Sequence, residues 1–471
     1  MALQIHYAAS AIALNRFGLG ARPGDAIPAD PKKWLLGQFD AYEVRPAAFD
    51  RLPDAGETWQ AYEVARRERK AREKAEAAET AKTPQPAADT GGQNVTQKLY
   101  RAAIRTRADV ALSSEAPFVE RLTHFWANHF CVSADNQRVA TFAGAFERDA
   151  IRPHVLGRFE DMLLAVEQHP AMLIYLNQVN SIGPNSPQAL TEAKNAKNGV
   201  RGLNENLARE ILELHTLGVR SGYTQTDVTE FARALTGWSV DYEAGSGKAR
   251  AGGGFVFQAQ RHEPGPRVIL GKTYTQPGAE QARAALHDFT RSPATARHIA
   301  TKLARHFAGD EPPQALIDRL ATAFQTTDGD LKSVYRVLIA SPEPWVAEPL
   351  KFKSPWDWTL STLRALGKRE TGQINIVETL TQLGQPVWKP GSPAGWEDLE
   401  KTWAAPDGLY RRVELAAGFV APLADKFDAR QLADSLLPAS VSPATRQEVS
   451  RAETSADALA LLLVSPDFLR R

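Results

Sequence analysis

The chain has 471 residues, with 56 lysines and arginines against 55 aspartates and glutamates, and a single cysteine, Cys131. This near-neutral balance argues against a nucleic-acid-binding protein, because affinity for phosphates requires a concentrated positive surface. One cysteine excludes an internal disulfide and a cysteine-rich zinc site, so any metal ligands must be His, Asp, Glu or Asn. No stretch approaches about 18 consecutive apolar residues, so no membrane span is expected. The first residues lack the features of a secretory signal, and we expect a cytoplasmic protein.

Most of the chain has the apolar spacing of amphipathic helices. Apolar residues recur every three or four positions, and Pro, Gly, Ser or Asp separates one such stretch from the next. The clearest predicted helices cover residues 8–16, 94–112, 116–130, 140–151, 279–289, 294–307, 314–324, 331–339 and 456–464. The sequence therefore predicts a mainly α-helical protein, with one large multi-helix domain over residues 1–471.

A charged stretch interrupts this pattern at residues 63–93. Of the 17 residues from 63 to 79, 11 are charged, and residues 80–93 contain two prolines and two glycines. The pattern favours a solvated helix followed by a flexible linker. A partner-binding coiled coil is the alternative, but the apolar a/d seam that it needs is missing.

Two aromatic and polar motifs precede residue 180. On the predicted helix 116–130, His129 beside Trp126 would present an imidazole next to an indole in a pocket wall, although a core histidine explains the same pattern. Asn177 could point into a common pocket with Arg152. We take His129 as a candidate catalytic residue, and Trp126 and Asn177 as candidates for substrate binding.

Residues 180–202 are rich in Asn, Gly, Ser and Pro and lie between two well-patterned helices. Connections of this length are uncommon and are often functional or disordered. Because the stretch directly precedes the most charged motif of the chain, we interpret it as an active-site or binding loop.

Residues 204–218 form that charged motif and predict a helix of about four turns, with Asn204 as N-cap and Gly218 at the end. Its polar side chains fall on two adjoining faces, Asn206, Glu210 and Glu213 on one and Glu205, Arg209 and His215 on the other. The alternative is a solvent-exposed face with weak ion pairs. However, the motif contains no lysine, and its short or planar side chains suit a buried polar network.

Residues 238–275 contain glycines around short β-branched and aromatic runs, which predicts a β-hairpin or small sheet inserted between helices. At the turn between the two predicted strands, His262 and Glu263 are followed by Pro-Gly-Pro. A His-Glu pair held in this way can present ligands or an acid/base pair, although a surface loop would have the same sequence.

Residues 383–396 form a loop rich in Pro, Gly and Trp. Trp388 and Trp396, with Trp403 nearby, could stack on a sugar or another flat ligand. The alternative is that these tryptophans anchor an irregular loop to the helical body.

Several common catalytic motifs do not occur in the sequence. It has no Gly-x-Gly-x-x-Gly, no P-loop, no Gly-x-Ser-x-Gly and no His-Glu-x-x-His. These absences argue against nucleotide-binding proteins and the usual serine and zinc hydrolases.

Eight ordered motifs together resemble the bacterial DUF1800 family. They are Ala-Leu-Asn-Arg-Phe-Gly-Leu-Gly (13–20), Phe-Trp-Ala-Asn-His-Phe (125–130), Ile-Arg-Pro-His (151–154), His-Pro-Ala-Met-Leu-Ile-Tyr-Leu (169–176), Asn-Glu-Asn-Leu-Ala-Arg-Glu-Ile-Leu-Glu-Leu-His-Thr-Leu-Gly (204–218), Ala-Leu-Thr-Gly-Trp (234–238), His-Glu-Pro-Gly (262–265) and Gly-Trp (395–396). The resemblance implies a family of unassigned chemistry, often encoded beside a DUF1501 protein similar to sulfatases and alkaline phosphatases. Many relatives carry export signals, whereas we expect none at the start of this sequence.

Our first functional hypothesis is a hydrolase or lyase that acts on a polar, carbohydrate-like small molecule or polysaccharide. One of Glu210 and Glu213 would be a base or nucleophile, and the other, or Glu263, an acid. His262 and His129 would tune or donate protons. Glu205, Asn206, Arg209, Trp126, Asn177, Trp388 and Trp396 are the substrate-binding candidates.

The sequence requires no cofactor, but a divalent metal variant would use Glu210, Glu213, His215 and His262. Two alternatives are not enzymes: an assembly or maturation partner of a sulfatase-like DUF1501 protein, and a carbohydrate-binding module. Convergence of the candidate carboxylates and histidines on one cavity would favour the enzyme, whereas internal pairing would favour the partner.

Overall fold

Helices make up most of the structure, as the apolar spacing predicts. The computed structural model describes residues 7–80, 91–195, 202–241, 253–423 and 426–471. Within these residues the helices are α1 (Ala9–Ile12), α2 (Pro31–Ala41), α3 (Ala55–Thr80), α4 (Gly91–Ser113), α5 (Pro117–His129), α6 (Gln137–Phe146), α7 (Phe159–Glu167), α8 (Pro170–Tyr175), α9 (Pro187–Asn195), α10 (Asn206–Glu210), α11 (Gln225–Leu235), α12 (Ala279–Thr290), α13 (Pro293–Ala308), α14 (Gln314–Thr326), α15 (Leu331–Ala340), α16 (Pro355–Ala365), α17 (Ile376–Gln382), α18 (Glu400–Trp403), α19 (Pro406–Val420), α20 (Ala429–Leu436), α21 (Pro443–Arg451), α22 (Ser455–Leu463) and α23 (Pro466–Leu469). In the described part of the chain, no helix is both long and apolar enough to cross a membrane.

Serine–proline pairs start several of these helices. Ser292, Ser354, Ser442 and Ser465 each accept a hydrogen bond from a backbone amide of the first turn, and each precedes a proline at the first helical position. The serine oxygen satisfies an otherwise unpaired amide, and proline fits there because its missing N–H would have no helical partner. Local sequence thus determines where α13 and α16 begin, and both helices supply walls of the site described below.

Three helices continue into π-helical segments. These segments are Ala13–Phe17 after α1, Glu147–Ile151 after α6 and Ile211–His215 after α10. The predicted helices 8–16, 140–151 and 204–218 are therefore helical. However, a π turn holds extra residues and changes the direction of the side chains that follow, which α-helical spacing cannot anticipate.

The charged stretch predicted as a helix is part of α3, which packs through the buried Trp59 and Tyr62. Residues 81–90 of the predicted linker lie outside the described residues. The prediction was wrong for residues 91–93, which belong to α4. Because α4 packs along α6, tertiary contacts outweigh the low helix propensity of the two glycines there.

The stretch predicted as a loop at residues 180–202 contains α9, so that prediction was wrong in its middle part. Pro187 occupies the first position of α9, and the Ser186 hydroxyl accepts a hydrogen bond from the Ala189 amide at 3.3 Å. Residues 196–201 lie outside the described residues.

The β insertion predicted at residues 238–275 is present as two antiparallel pairs. Strand β1 (Trp238–Val240) pairs with β2 (Phe255–Phe257), and β3 (Arg267–Ile269) pairs with β4 (Lys272–Tyr274). Residues 242–252 lie outside the described residues. Since β2 and β3 belong to different sheets, the His-Glu motif lies in the connection between two pairs rather than in a hairpin turn.

A buried ion pair joins α5 to the segment after α6. Arg152 donates to both carboxylate oxygens of Glu120, at 2.7 and 2.8 Å, and both side chains are about 1% exposed. Two charges in the interior are stable only when each is fully paired. The pair therefore fixes the position of α5, which carries much of the candidate site.

We expect Glu120→Ala to lower the free energy of unfolding by about 3–5 kcal/mol, because it leaves the Arg152 charge buried without its partner. Chemical denaturation measures this change. As a control, Asp434→Ala breaks an ion pair with Arg446 in which both side chains are about half exposed, and we expect a loss below about 1 kcal/mol. Equal losses in the two variants would contradict a structural role for the buried pair.

Candidate functional site

A cavity of about 320 Å³ lies between α5, α13, α16 and the loop that precedes α18. Its aromatic lining consists of Phe125, Phe352, Trp356, Trp388, Trp396 and Trp403. Charged and imidazole side chains lie between these rings. The combination of flat apolar faces with a few convergent polar groups is typical of a small-molecule site.

His306 on α13 and Asp398 in the loop before α18 form a histidine–aspartate pair in the cavity wall. Nδ1 of His306 lies 2.7 Å from Oδ2 of Asp398, so Nδ1–H donates to the carboxylate. Nε2 of His306 is buried and has no hydrogen-bond partner among the described residues. The carboxylate thereby selects the tautomer whose Nε2 lone pair can accept a proton.

Lys351 holds the Asp398 side of this pair. Its Nζ lies 3.2 Å from Oδ1 of Asp398 and 2.6 Å from Oδ1 of Asp310. Burial opposes ionisation of Asp398, but His306 and Lys351 outweigh burial and hold the pKa of that carboxyl far below its ordinary value. Burial lowers the pKa of His306 to about 4, against the smaller opposing effect of Asp398. At neutral pH the pair is therefore a carboxylate and a neutral imidazole.

Asp357, in the first turn of α16, lies between two buried arginines. Its Oδ1 accepts from Nη1 of Arg121 at 3.0 Å, and its Oδ2 lies 3.1 Å from Nε of Arg471. Burial opposes ionisation of Asp357, but the two arginines outweigh burial and lower its pKa to about 2. This ionic group connects α5, α16 and the last residue of the described chain.

His124 on α5 is a second imidazole in the lining. Nε1 of Trp356 donates to Nδ1 of His124 at 3.1 Å, so the hydrogen of the neutral ring is on Nε2. That Nε2 is buried without a hydrogen-bond partner in the described part of the chain. Burial, assisted by Arg107 and Arg121, lowers the pKa of His124 well below its ordinary value. Among the lining imidazoles, His306 therefore has an unpaired acceptor nitrogen and His124 an unpaired N–H donor.

Asn128 holds the tryptophan loop against α5. Its Oδ1 accepts from the Trp396 amide at 2.7 Å, and its Nδ2 donates to the Trp396 carbonyl at 2.8 Å. Gly395 has a φ of 82°, and a Cβ there would lie 2.3 Å from the Asn128 carbonyl oxygen. Only glycine fits this close approach. Trp396 consequently lies at the cavity edge, with its ring centroid 5.8 Å from that of Trp403.

Trp388 lines the cavity and also anchors the loop. Its carbonyl accepts from the Ala134 amide at 2.7 Å, and its Nε1 donates to Glu147 at 3.3 Å. The guanidinium of Arg107 lies 5.6 Å from the Trp388 ring and 4.2 Å from the Trp356 ring, and it is paired with Glu147. Trp388 thus fits both interpretations of the tryptophan loop, since it lines the cavity and also anchors the loop to the helical body.

The predicted polar helix lies outside the cavity lining, and one end of it is paired with α11. Glu205 accepts from Thr229 at 2.6 Å and from Gln225 at 2.8 Å, and Arg209 lies 3.3 Å from Glu205. These contacts fix α10 against α11. The geometry thus gives Glu205 and Arg209 a structural role, while Asn206 is exposed.

The π turn after α10 sends His215 into the core. Its Nδ1 lies 2.7 Å from Oε1 of Glu167, and both side chains are buried. Glu210 and Glu213 stay close enough to interact electrostatically, and Glu213 is hydrogen-bonded to Tyr223. Glu210 is partly buried, without a hydrogen bond to any described residue, and burial raises its pKa. This carboxylate pair stays a candidate, separate from the cavity lining.

His262 and Glu263 are bonded to their own surroundings. Nδ1 of His262 lies 2.9 Å from the Thr236 carbonyl oxygen. The carboxylate of Glu263, 2% exposed, accepts from the amide of Asn185 at 2.7 Å and from its side chain at 2.6 Å. A Cβ at Gly183 would lie 2.6 Å from the same carboxylate. Glu263 therefore joins the β insertion to the turn before α9, and the geometry assigns it an anchoring role.

Three other predicted residues have different outcomes. His129 lines the cavity; its Nε2 lies 3.2 Å from the His215 carbonyl oxygen, and burial lowers its pKa well below the ordinary value. Trp126 is a core residue whose Nε1 donates to Tyr335 at 2.6 Å. Asn177 is exposed and has a φ of 57°, a left-handed conformation that asparagine tolerates. Neither Trp126 nor Asn177 lines the cavity, so their predicted part in substrate binding is not supported there and stays a prediction.

The predicted metal ligands do not form a site. Among the described residues, no group of three His, Cys, Asp or Glu side chains could hold a metal ion. Of the predicted ligands, His215 is bonded to Glu167 and His262 to Thr236, while Glu210 and Glu213 interact with each other only through their charges.

Sequence reasoning missed His306, Asp398, His124, Asp357 and Lys302. One usable signal was the spacing of His298, Lys302 and His306, which places three basic groups on one face of the predicted helix 294–307. Another was the Gly-Trp motif two residues before Asp398. The aspartate and the histidine are 92 residues apart, so no local pattern could pair them.

Fold and site together define a mainly helical protein with a tryptophan-lined cavity that holds a histidine–aspartate pair. The chain belongs to the DUF1800 family, described as a protein of unknown function, whose family model matches residues 12–470. No curated protein and no solved structure matches the chain. The family suggested by the eight sequence motifs is thereby confirmed.

We expect the destabilisation caused by Asp357→Asn to depend on pH. The folded pKa of about 2 lies below the unfolded value, so the carboxylate contributes about 2–3 kcal/mol above about pH 4, and this contribution is lost as pH falls toward about 2. Chemical denaturation of both proteins at about pH 5 and about pH 2.5 measures the difference. Asp407→Asn, at an exposed pair with Arg411, is the control. A difference between the unmodified protein and Asp357→Asn that is independent of pH would contradict this account.

Proposed function

We propose that this protein is a hydrolase or lyase that acts on a polar, carbohydrate-like substrate in the cavity, with His306 as the general base. The observation that carries the proposal is the 2.7 Å bond between His306 and Asp398 beside the tryptophan-lined space. An imidazole oriented by a carboxylate is a common general base, because the carboxylate fixes the tautomer and stabilises the imidazolium that forms.

The lining supports a sugar-like ligand. Trp356, Trp388, Trp396 and Trp403 line the cavity, and indole rings can stack on the C–H faces of sugar rings. Hydroxyl groups of a sugar can both donate and accept hydrogen bonds, which matches an acceptor on His306 and a donor on His124.

In this mechanism Nε2 of His306 accepts a proton, from water in a hydrolase or from carbon in a lyase. Asp398 stays ionised and stabilises the resulting imidazolium, while Nε2–H of His124 donates to a substrate oxygen. Because Nε2 of His306 is shielded from solvent in this conformation, the surrounding side chains must move when substrate binds. Catalytic hydrogen bonds commonly form only in the complex with substrate.

The second candidate is an assembly partner of a sulfatase-like DUF1501 protein. It is favoured by the internal pairing of Glu205, Arg209, His215 and Glu263, since a polar network of this kind can be purely structural. A carbohydrate-binding module would use the tryptophans without turnover. A cytoplasmic location and independence of nucleic acid stay predictions from the sequence.

We expect His306→Gln and Asp398→Asn to lower turnover about 10²- to 10⁴-fold, because each removes the oriented base. Turnover is measured on a panel of bacterial polysaccharides with the unmodified protein. His287→Gln, at an exposed histidine paired with Glu160, is the control and should retain activity.

Glu210→Gln distinguishes catalysis by His306 in the cavity from catalysis by the carboxylates of the polar helix. Full activity in this variant assigns the chemistry to the cavity, whereas loss in Glu210→Gln with full activity in His306→Gln would return it to the polar helix. Sugar binding without turnover of any panel member would favour the binding module.

We expect kcat/KM to fall as pH decreases through about 4, because the base must be neutral and burial lowers the pKa of His306 to about 4. In Asp398→Asn this acid limb should move to lower pH, since the carboxylate raises the pKa of the imidazole. A pH–rate profile of both proteins tests this. An acid limb near the ordinary histidine value, about 6.5, would contradict the assignment of His306.

A further inference from the structure

Lys302 places an unpaired amine in the cavity lining. It lies on α13 one turn before His306, and it is partly buried. No hydrogen-bond or ion-pair partner of its Nζ occurs among the described residues. The residue is partly exposed, whereas the Nε2 atoms of His124 and His306 are buried. Because Lys302 lines the cavity, its side chain can contact a ligand there.

The other cations of the lining divide into paired and unpaired groups. Arg107 is paired with Glu147, and Arg121 with Asp357. Arg305, one turn from Lys302 on the same face of α13, donates through Nε to the Asp310 carbonyl at 3.2 Å. No carboxylate partner of Arg305 occurs in the described part of the chain. Lys302 and Arg305 are thus the two cations here without a counter-ion.

Neither Cys131 nor Asp398, the acidic groups that interact electrostatically with Lys302, is bonded to it. Burial raises the pKa of Cys131 to about 12, so its sulfur stays a neutral thiol, which donates to the Pro393 carbonyl at 3.1 Å. Asp398 is already engaged by His306 and Lys351. Burial lowers the pKa of Lys302 to about 8, partly offset by Cys131 and Asp398, so the amine is mostly protonated at neutral pH. A partly desolvated cation without a partner is costly.

We infer that Lys302 and Arg305 form a subsite for an oxyanion, so that the substrate of the cavity is an acidic, sugar-like molecule with a carboxylate, sulfate or phosphate group. The inference rests on the proposed function for the sugar part and on the two uncompensated cations for the acidic part. The spacing on α13 places the anion next to the base, because Lys302, Arg305 and His306 follow at i, i+3 and i+4. Ring stacking on the tryptophans would hold the rest of the molecule.

Binding, rather than turnover, tests the subsite. The probes are a neutral β-glucan oligomer, the uronic-acid oligomer of the same length and its sulfated counterpart, followed by fluorescence of the lining tryptophans. We expect the full chain to bind at least one acidic oligomer about tenfold or more tightly than the neutral one, since hydrogen bonds to charged groups carry that much affinity. Which acidic oligomer binds more tightly distinguishes carboxylate from sulfate.

Lys302→Met should lose this preference, because it keeps the length of the side chain and removes the charge. Lys302→Arg should retain it. Lys33→Met, at an exposed lysine of α2 outside the cavity lining, is the matched control and should bind like the unmodified protein. Preserved preference in Lys302→Met overturns the inference, as does equal or absent binding of the acidic and neutral oligomers by the unmodified protein.

The same titrations with His306→Gln keep the two proposals distinguishable. If His306→Gln binds the acidic oligomer normally but the unmodified protein turns over nothing, the subsite stands and the enzymatic proposal fails. If turnover depends on His306 and Lys302→Met leaves the preference unchanged, the enzyme stands and the subsite fails.

Discussion

The position of the cavity walls depends on the ionic bond between Asp357 and the two buried arginines Arg121 and Arg471. Arg121 belongs to α5 and Asp357 to α16, and Arg471 also donates to the backbone carbonyl of His306 on α13 at 3.0 Å. One carboxylate thus connects three walls. Because burying charges costs several kcal/mol per ion, such a group is stable only when it is complete. The arrangement therefore has little tolerance for displacement, and the proposed base inherits its fixed position from it.

Unpaired polar atoms alone do not identify the site. Among the described residues, buried atoms without partners also occur on residues that do not line the cavity, for example on Gln178 and Arg412. What distinguishes His306 is the combination of an unpaired nitrogen, a carboxylate on the opposite nitrogen and a place beside open space. Lys302 differs again, because its amine is unpaired and the residue is partly exposed. The buried nitrogen of His306 suits proton transfer after a rearrangement, whereas the amine of Lys302 suits direct ligand binding.

The sequence predicted the helices well because their signals are local. Apolar spacing and Ser-Pro starts are read within one or two turns, and helices such as α13 and α16 depend on them. The candidate site was predicted poorly, because the pairing of His306 with Asp398 spans 92 residues. The side-chain directions of the polar helix (residues 204–218) were predicted poorly for a different reason. The π turn redirects His215 into the core, where its Nδ1 is bonded to the carboxylate of Glu167. No spacing rule for α-helices describes that change.

The polar helix and the cavity are nevertheless neighbours. The carbonyl of His215 accepts from Nε2 of His129, so the π turn fixes the tautomer of a cavity-lining imidazole and leaves its Nδ1 as an unpaired acceptor. Burial, with a smaller contribution from the charge of Glu210, raises the pKa of the Cys131 thiol. A neutral thiol cannot serve as counter-ion to Lys302. Of the predicted polar residues of this segment, only His215 is buried, whereas Asn206 is exposed and Glu205, Arg209, Glu210 and Glu213 are partly exposed. The segment contributes to the cavity by orienting His129.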